Sequence, residues 1–389
     1  MSRLVHITDE HLGGSYAEKS ANSFEFLIEQ LWNDPLSPAY NPDLIYSTGD
    51  LTDRALHIHS EHLRPFLDFV KVARCPIILL QGTMSHEPFG TINNIASISD
   101  GKIHIIDSPF QNIKIGGFSV FGIPGVTKAL VAKWCQARGI QVDAFADPRE
   151  GLRAILKDIS NNWASGVRIL GGHLTVSGAA ACNGQVLMNN DIDLSLEDLA
   201  IADANIITLG HIHKFQSWFV NDIHVAYGGS SHPCNYGELD EKGFSVYEFA
   251  EGGTKATVTR IPFPHRPMLK INVTFTGIQN DQGWECQFDQ VLPADGDKYE
   301  VKAAYTIPKE IAAQVDDVFV RLLFKRHGID LAAVQRTIQS TGRERIAEIA
   351  TKETTRSQYE AVCLAKGEDV RPGALEKADF IDQEEKVLL

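Results

Sequence analysis

Several features that would assign a sequence to a common class of protein are missing here. The sequence contains no run of eighteen apolar residues, so we expect no membrane-spanning helix. Its amino-terminal segment lacks the basic stretch and apolar run of a signal peptide. The six cysteines are scattered without a CxxC pair, which argues against a disulfide scaffold or a zinc ribbon. We therefore expect a cytoplasmic protein.

Positive charge is also scarce. The formal net charge of −14 argues against a protein that coats nucleic acid by itself. It does not exclude an enzyme that acts on phosphate esters, because metal ions or a basic partner can neutralise phosphate locally. No GxxxxGK[ST] loop is present, so any coupling to ATP requires another polypeptide.

What the sequence does contain is an alternation of short apolar strands and helical patterns through its first two-thirds, which predicts an α/β domain. Helical spacing is found at Ser23–Trp32 and His62–Val72. The predicted strands are Arg3–Ile7, Leu44–Tyr46, Pro76–Leu80, Ile103–Ile106, Phe118–Phe121, Arg168–Leu170, Ile206–Leu209, Ile223–Ala226 and Phe244–Phe249. Several end in loops rich in Asp, His and Gly, and such loops converge beyond the carboxyl ends of strands in open α/β sheets.

A proline-rich segment, Ile261–Pro267, reads as a stiff linker and marks a domain boundary. Beyond it, a strand at Tyr299–Tyr305, a helical face over residues 311–323 and a returning strand at Ala333–Ile338 predict a small β-α-β unit. The domains that we predict are residues 1–264, residues 265–345 and a charged, helix-compatible tail at residues 346–389.

Five loops carry the residues that suggest chemistry. They are Asp9–His11 (DxH), Gly49–Asp53 (GDxxD), Gly82–Glu87, Gly171–His173 and Gly210–His213. In an extended segment, side chains two residues apart point the same way, so a DxH or HxH pair can reach one ion. Carboxylate and imidazole ligands suit Mn²⁺, Fe²⁺ or Zn²⁺, and the lack of thiolates in this set disfavours a structural zinc site. The sequence therefore predicts a metal site.

Individual roles follow from the chemistry of such a site. Two ions about 4 Å apart would share a bridging carboxylate, for which Asp50 is the candidate. His86 is the candidate general acid or phosphate-orienting group, because imidazole titrates near neutral pH. Asp53 either supports a metal ligand from behind or caps the next helix.

These motifs resemble the calcineurin-like metallophosphoesterase superfamily, and within it the SbcD-type nucleases, the bacterial counterparts of a double-strand-break repair nuclease. The segments that carry the closer resemblance are Leu196–Ile201, Asp203–Thr208, Leu209–Lys214, Tyr227–Ser230, Tyr236–Glu238, Lys242–Phe244 and Arg266-Pro267. The resemblance covers roughly residues 1–340. It implies a two-sheet metallophosphoesterase sandwich flanked by helices, with a small α+β capping domain and a helical C-terminal tail.

The resemblance also implies two divalent metal ions per chain, Mn²⁺ by preference. One ion would be held by Asp9, His11, Asp50 and His213, and the other by Asp50, His173, His211 and a residue of the 82–87 loop. The family loop is Gly-Asn-His-Asp, with the Asn as ligand. This chain lacks that Asn and carries two extra residues, so Ser85 takes the Asn position, and His86 with Glu87 keeps the His-acid pair.

The function that the resemblance implies is that of a two-metal-dependent DNA exo/endonuclease, the nuclease subunit of an SbcCD-like repair and recombination complex. Such a subunit dimerises and binds an SbcC-like ATPase through a C-terminal helical segment, here Ser357–Ala365 and Pro372–Val387. Two alternatives stay open. One is a small-molecule phosphodiesterase of the same superfamily, and the other is a catalytically weakened DNA-binding scaffold whose altered 82–87 loop leaves the second metal unbound.

Two charged residues beside the motifs, Arg54 and Lys214, are candidates for phosphate contacts, although exposed surface charge is the default interpretation. We expect Glu10 to face solvent. The HxHxxH run at His57–His62 is more typical of a solvated helix start than of a metal site. Ser230–His232 either line the site or form a polar turn. We interpret Cys182 and Cys234 as small core residues rather than ligands.

Overall fold

The computed structural model describes residues 1–33, 41–182, 192–281, 283–339, 354–366, 370–371 and 373–379. The chain forms two compact units. The first comprises Met1–Lys270 with Asp295–Lys302, and the second comprises Ile271–Ala294 with Ala303–Leu389. Among the described residues, every helix is too short or too polar to cross a lipid bilayer.

Fourteen strands lie in the described part of the first unit. In chain order they are β1 (Ser2–Ile7), β2 (Leu44–Ser47), β3 (Ile77–Leu80), β4 (Ile103–Ile106), β5 (Ile113–Ile115), β6 (Phe118–Ile123), β7 (Val167–His173), β8 (Thr175–Val176), β9 (Asp193–Leu194), β10 (Ile206–Gly210), β11 (Gln216–Val220), β12 (Ile223–Tyr227), β13 (Gly243–Phe249) and β14 (Ala256–Pro262). All nine strands predicted for this region are present.

These strands form two six-stranded sheets and a small β8–β9 pair. The first sheet has the order β14-β13-β1-β2-β3-β4, and the second has the order β11-β12-β10-β7-β6-β5. Strands β1 to β4 are parallel, as are β12, β10, β7 and β6. The outer strands β13, β14, β11 and β5 pair antiparallel. Within each sheet, the carboxyl ends of the parallel strands therefore meet at one edge.

Helices cover the outer faces of both sheets. They are α1 (Ala17–Ile28), α2 (Arg64–Val72), α3 (Thr91–Ser97), α4 (Lys128–Arg138), α5 (Pro148–Ser160) and α6 (Leu196–Ala200). The helices on the second sheet, α4 to α6, each begin at a side-chain cap. The Asp147 side chain accepts hydrogen bonds from the first amides of α5, and Ser195 and Asp198 form a capping box at α6.

Three layers of buried apolar side chains hold the sandwich together. Tyr46 and Ile78 of the first sheet pack with Ile169 of the second between the sheets. Phe66 belongs to the layer between the first sheet and α1 to α3, and Ile155 to the layer between the second sheet and α4 to α6. This arrangement confirms the predicted α/β fold of two sheets flanked by helices.

Two glycines let the sheets approach closely at Tyr46. A Cβ atom on Gly171 would lie 2.0 Å from the Tyr46 hydroxyl oxygen, and one on Gly122 would lie 2.6 Å from it. The Tyr46 hydroxyl donates a hydrogen bond to the Phe121 carbonyl at 3.2 Å. Gly171 lies two residues before His173. This close packing therefore lets the end of β7, which carries His173, approach the first sheet.

The second unit contains a four-stranded sheet in the order β16-β15-β17-β18. Its elements are β15 (Met268–Asn280), β16 (Gly283–Phe288), β17 (Glu300–Pro308), α7 (Asp317–Lys325), β18 (Leu331–Gln339) and α8 (Thr355–Lys366). The predicted strand-helix-strand sequence is confirmed by β17, α7 and β18. The helix begins later than predicted, because Asp316 caps it and Lys309–Ile311 forms a separate 3-10 turn.

The predicted C-terminal helical segment is covered only in part by the structure. Ser357–Ala365 lies within α8. Of Pro372–Val387, only residues 373–379 are described, and the rest lies outside the described residues. The three predicted domain ranges stay a prediction.

Candidate metal centre

The loops that follow β1 and β2 bring Asp9, His11 and Asp50 together. One potential ligand atom from each lies within 4.8 Å of the other two. The loops are tied through their backbones, because the Asp9 amide donates to the Gly49 carbonyl at 3.0 Å and the His11 amide donates to the Asp50 carbonyl at 3.1 Å. The structure therefore brings these three predicted residues together.

The backbone at these positions is unusual. Asp9, His11 and Asp50 have φ values of 53°, 44° and 54°, and His211 has a φ of 90°. Residues with a side chain rarely adopt this left-handed region, and such strain persists where the surrounding structure holds it for a functional reason. Four predicted metal ligands share this conformation, which supports a built site.

The second sheet contributes histidines from the opposite side. His173 is the last residue of β7 rather than part of the loop after it. The His173 Nδ1 atom lies 2.8 Å from the Thr48 carbonyl, which leaves Nε2 facing Asp50, 3.3 Å from Oδ2. The His211 amide donates to both oxygens of Asp9 at 3.1 Å, and the His211 ring centroid lies 5.3 Å from that of His173.

His213 completes the set of predicted histidines. Its Nε2 lies 3.1 Å from Nε2 of His11, and its Nδ1 lies 3.6 Å from Glu238 Oε1. A carboxylate behind a histidine is a common way to fix the ring of a metal ligand. A ligand atom of each of His11, His213 and Cys234 lies within 4.8 Å of the other two. Cys234 is buried, as its interpretation as a core residue requires, but it also lies beside two predicted ligands.

Asp53 and His86 lie on the open side of the centre. Oδ1 of Asp53 is 4.0 Å from Nδ1 of His11 and 3.9 Å from Nδ1 of His86. The His86 Nδ1 donates to the Asp53 carbonyl at 2.9 Å, and the His86 side chain is 35% exposed. Asp53 does not cap the next helical turn, since Ser60 does so.

The 82–87 loop presents Thr83 to the centre. Both the amide and the hydroxyl of Thr83 donate to Asp50 Oδ1, at 2.7 and 3.0 Å. Ser85 is exposed and donates to the Thr83 hydroxyl at 3.3 Å, so the structure does not bring it against Asp50. Glu87 is buried beneath the loop and accepts hydrogen bonds from the amides of Leu51 and Gly82, each at 2.6 Å.

Glu10 faces the interior, so the expectation that it faces solvent was wrong. The Ser47 hydroxyl lies 3.2 Å from both of its carboxylate oxygens. Burial, together with the charge of Asp9, raises the pKa of Glu10 well above its usual range. The DxH motif follows a buried strand and turns at once with left-handed residues, which points the middle side chain inward.

The remaining predicted residues lie at the rim or behind the centre. Arg54 and Lys214 are exposed at the rim. Within the His57–His62 run, His57 and His59 are exposed, in agreement with a solvated segment. Ser230–His232 are buried, and Nε2 of His232 lies 3.0 Å from the Glu10 carbonyl, so this turn supports the Asp9–His11 loop from behind.

A buried charge network supports His213. Lys242 Nζ lies 2.7 Å from Glu238 Oε2 and donates to the His213 carbonyl at 3.0 Å. Burial raises the pKa of Glu238, but His213 and Lys242 outweigh that effect and lower it to about 2. Burial likewise raises the pKa of the Cys234 thiol, while the rings of His213 and His232 lower it to about 6.

Unpartnered nitrogen atoms show that the residues fit a metal ion. His11 and His173 are buried, and neither Nδ1 of His11 nor Nε2 of His173 has a hydrogen-bond partner among the described residues. The short approach of His173 Nε2 to Asp50 lacks hydrogen-bond geometry. Buried polar atoms are normally satisfied, and a metal ion would satisfy these.

Some site residues were not singled out from the sequence, namely Thr48, Thr83 and Glu238. Thr48 and Thr83 lie beside or within the predicted loops. Thr48 acts through its backbone carbonyl and Thr83 through its hydroxyl, and many loops contain such groups. Glu238 lies 25 residues beyond His213 in the sequence, and only the fold places it there. Cys234 follows a polar turn after β12, much as the predicted ligands follow β1 and β10. This position after a strand is the sequence feature that could have indicated Cys234.

Comparisons with known proteins agree with this geometry. The family described as calcineurin-like phosphoesterase matches residues 2–215. None of the curated proteins matches the chain in sequence.

Solved structures that match include GAP50, the anchor in the inner membrane complex of Plasmodium, at 14% identity over 68% of this chain and 85% of that one, with a TM-score of 0.39. A novel archaeal phosphodiesterase matches at 11% identity over 67% and 99% of the two chains, with a TM-score of 0.34. The phosphopantetheinyl hydrolase of Mycobacterium tuberculosis matches at 13% identity over 59% and 90%, with a TM-score of 0.33.

The family match covers more than half of the chain and includes all five predicted motifs. The protein therefore belongs to the calcineurin-like phosphoesterase family and is a metal-dependent hydrolase of phosphate esters.

Proposed function

We propose that this chain is a two-metal-dependent DNA exo/endonuclease that serves as the nuclease subunit of an SbcCD-like repair and recombination complex. The observation that carries the proposal is the convergence of Asp and His side chains from both sheets around Asp50. The choice of DNA as substrate is supported by the SbcD-like motifs between residues 196 and 244.

Two overlapping sets of side chains are suited to hold two divalent ions. Asp9, His11, Asp50 and His213 form one set, and Asp50, His173 and His211 form the other. Asp50 belongs to both sets. Its carboxylate lies within 4.8 Å of a ligand atom of His11 and 3.3 Å from Nε2 of His173. In the 82–87 loop, the hydroxyl nearest to Asp50 is that of Thr83 rather than Ser85. By the family resemblance, we propose Mn²⁺ as the activating ion.

The chemistry divides between the ions and the chain. When bound, two ions neutralise phosphoryl oxygens and lower the pKa of a water molecule that attacks phosphorus. His86 is partly exposed and held by the Asp53 carbonyl, so its ring can orient the phosphate or protonate the leaving oxygen. Arg54 and Lys214 place positive charge at the exposed rim, where flanking phosphates of a long substrate would lie.

Partners follow from the same proposal. The net charge of −14 gives this chain little affinity of its own for DNA, which favours a complex in which another subunit binds the duplex. We propose an SbcC-like ATPase as that subunit, with α8 as the docking helix, and a second copy of this chain as the dimer partner.

The test is a turnover screen of the pure protein with Mn²⁺, with and without the ATPase. Substrates are single- and double-stranded DNA, bis-nitrophenyl phosphate and cyclic nucleotides, with Asp50→Asn as the blank. We expect cleavage of DNA that Asp50→Asn abolishes. Turnover of only the small esters would replace the proposal with a small-molecule phosphodiesterase. Fewer than two metal equivalents per chain, with DNA bound but left intact, would indicate a scaffold.

A further inference from the structure

Cys234 is the one thiol that the described structure places among candidate metal ligands. It lies in the turn after β12, at the same edge of the second sheet from which His211 and His213 extend. A ligand atom of each of His11, His213 and Cys234 lies within 4.8 Å of the other two. The resemblance to known metallophosphoesterases predicts ligands at the two histidines but none at this cysteine.

The geometry of the two histidines is that of ligands to a common ion. Their Nε2 atoms lie 3.1 Å apart. Two nitrogen atoms bound to one tetrahedral ion at 2.0–2.1 Å are separated by about 3.3 Å.

The backbone of Cys234 is fixed from two directions. Its amide donates to Glu238 Oε2 at 3.2 Å, and its carbonyl accepts from the Tyr16 hydroxyl at 3.0 Å. The sulfur lies 3.7 Å from His232 Nδ1 and 3.5 Å from the His232 carbonyl, and within 4.8 Å of a ligand atom of His213. A cysteine that served only to fill the core would have apolar neighbours, whereas this one lies among three imidazoles.

We propose that Cys234 supplies a thiolate ligand to the ion held by His11 and His213, and that this ligand makes the site favour Zn²⁺ or Fe²⁺ over Mn²⁺. Binding releases the thiol proton to solvent as the sulfur–metal bond forms. Thiolate is a soft ligand that selects zinc and iron, while oxygen ligands alone suit manganese. The inference rests on the metal centre of the proposed function and assigns the preference of one of its two positions, so that Mn²⁺ stays the ion proposed for the position held by Asp50, His173 and His211.

Co²⁺ is the probe that tests ligation directly. Co²⁺ bound at this centre gives weak absorption bands in the visible range, and a bound thiolate adds an intense charge-transfer band in the near ultraviolet. We expect both in the wild-type protein. Cys234→Ser should lose the charge-transfer band and keep the visible bands. It should also lose affinity for Zn²⁺ by about tenfold or more, with a smaller loss for Mn²⁺.

Cys182→Ser is the matched control. Cys182 is also buried, but its sulfur lies 3.4 Å from Asp240 and 3.6 Å from Lys242, and within the described part of the chain it belongs to no group of candidate metal ligands. We expect this variant to keep the charge-transfer band. Loss of the band in Cys182→Ser and its retention in Cys234→Ser would overturn the assignment.

The remaining outcomes separate this inference from the proposed function. Visible bands without a charge-transfer band in the wild-type protein overturn the thiolate ligand and leave the metal centre intact. Absence of all Co²⁺ bands overturns both. If Cys234→Ser does not fold, cadmium NMR of the wild-type protein decides, because the chemical shift of bound Cd²⁺ reports a sulfur ligand without any variant.

Discussion

The two six-stranded sheets share a strand arrangement but contribute different chemistry to the metal centre. The loops of the first sheet supply both carboxylates, Asp9 and Asp50, on strained backbone. The second sheet supplies His173, His211 and His213. The two kinds of ligand are also held differently, because backbone hydrogen bonds fix the carboxylate loops, whereas carbonyl and carboxylate partners orient the histidine rings.

This difference teaches that neither sheet supplies both proposed sets of ligands by itself. The clearest link is the pair formed by Asp50 and His173. Burial raises the pKa of Asp50, but the charges of His173 and His11 outweigh that effect and hold it below its usual range. Burial lowers the pKa of His173, and Asp50 raises it beyond the ordinary value. Each sheet thus stabilises the charged group of the other.

The largest effect should come from breaking this link on either side. Asp50→Asn and His173→Ala should each lower phosphodiesterase activity by about 1,000-fold or more, because several kcal/mol of charge stabilisation are lost with an ion. Each should also lower the bound metal from two equivalents to one or none, measured by elemental analysis. If one sheet sufficed, one of these variants would keep full metal content and near-normal activity.

A smaller effect is expected from a residue that handles the substrate without holding an ion. His86→Ala should lower kcat by about 100-fold, the lower range for loss of general acid–base catalysis, while metal content stays unchanged. His59→Ala, which removes an exposed histidine nearby, is the matched control and should leave kcat unaffected. Loss of metal in His86→Ala would instead make this residue a ligand.

The 82–87 loop offers a finer comparison within the first sheet. Thr83→Val removes the hydroxyl that contacts Asp50 and should lower metal affinity by about tenfold. Ser85→Ala alters an exposed hydroxyl and should change metal affinity by less than about twofold. Isothermal titration with Mn²⁺ measures both. The reverse order of effects would restore Ser85 to the ligand position that the sequence suggested.

The smallest effect concerns His6, where β1 of the first sheet lies near His224 of the second sheet. His6 of β1 is buried, with Nε2 2.8 Å from the Thr48 hydroxyl, and faces Arg260 and His224. Burial, with these charges, lowers its pKa to about 3. Stability from this neutral ring is complete above about pH 6.5 and is lost as pH falls toward 3, because the unfolded chain takes up the proton first.

Urea unfolding at several pH values measures this effect. Wild-type protein should lose about 1 kcal/mol or more of unfolding free energy across that window beyond the loss in His6→Gln. His104→Gln, on β4 of the same sheet, should keep the wild-type slope. If the unfolding free energy has the same slope against pH in wild type and His6→Gln, His6 does not contribute to the pH dependence of stability.

Most of the centre could be predicted from the sequence because its ligands follow short apolar strands in compact motifs. Asp9, Asp50 and His213 needed only the alternation of strand and loop. The strands β5, β11 and β14 and the helix α4 were not predicted, because they lie at edges or outer faces where the apolar pattern is weaker. The helix α5 was also not predicted, although its apolar face is regular. The buried side of Glu10 could not be predicted, since it depends on left-handed turns on both sides of it.

Cys234 and Thr83 mark a second limit of prediction. Each becomes important through neighbours that are distant in sequence, and neither residue type is distinctive in a loop. The resemblance to known nucleases predicts Ser85 as a ligand because Ser85 precedes the His-acid pair of the loop, whereas the hydrogen bonds of the loop place Thr83 beside Asp50.

The left-handed backbone of the ligand residues has a consequence for engineering. Replacing such residues with glycine is a standard route to a more stable protein, and here it would relax Asp9, His11, Asp50 and His211 while removing the ligands themselves. Asparagine also tolerates this conformation, so Asp→Asn changes at positions 9 and 50 alter charge with little backbone cost. Selection for thermal stability alone would therefore favour substitutions that remove the metal ligands.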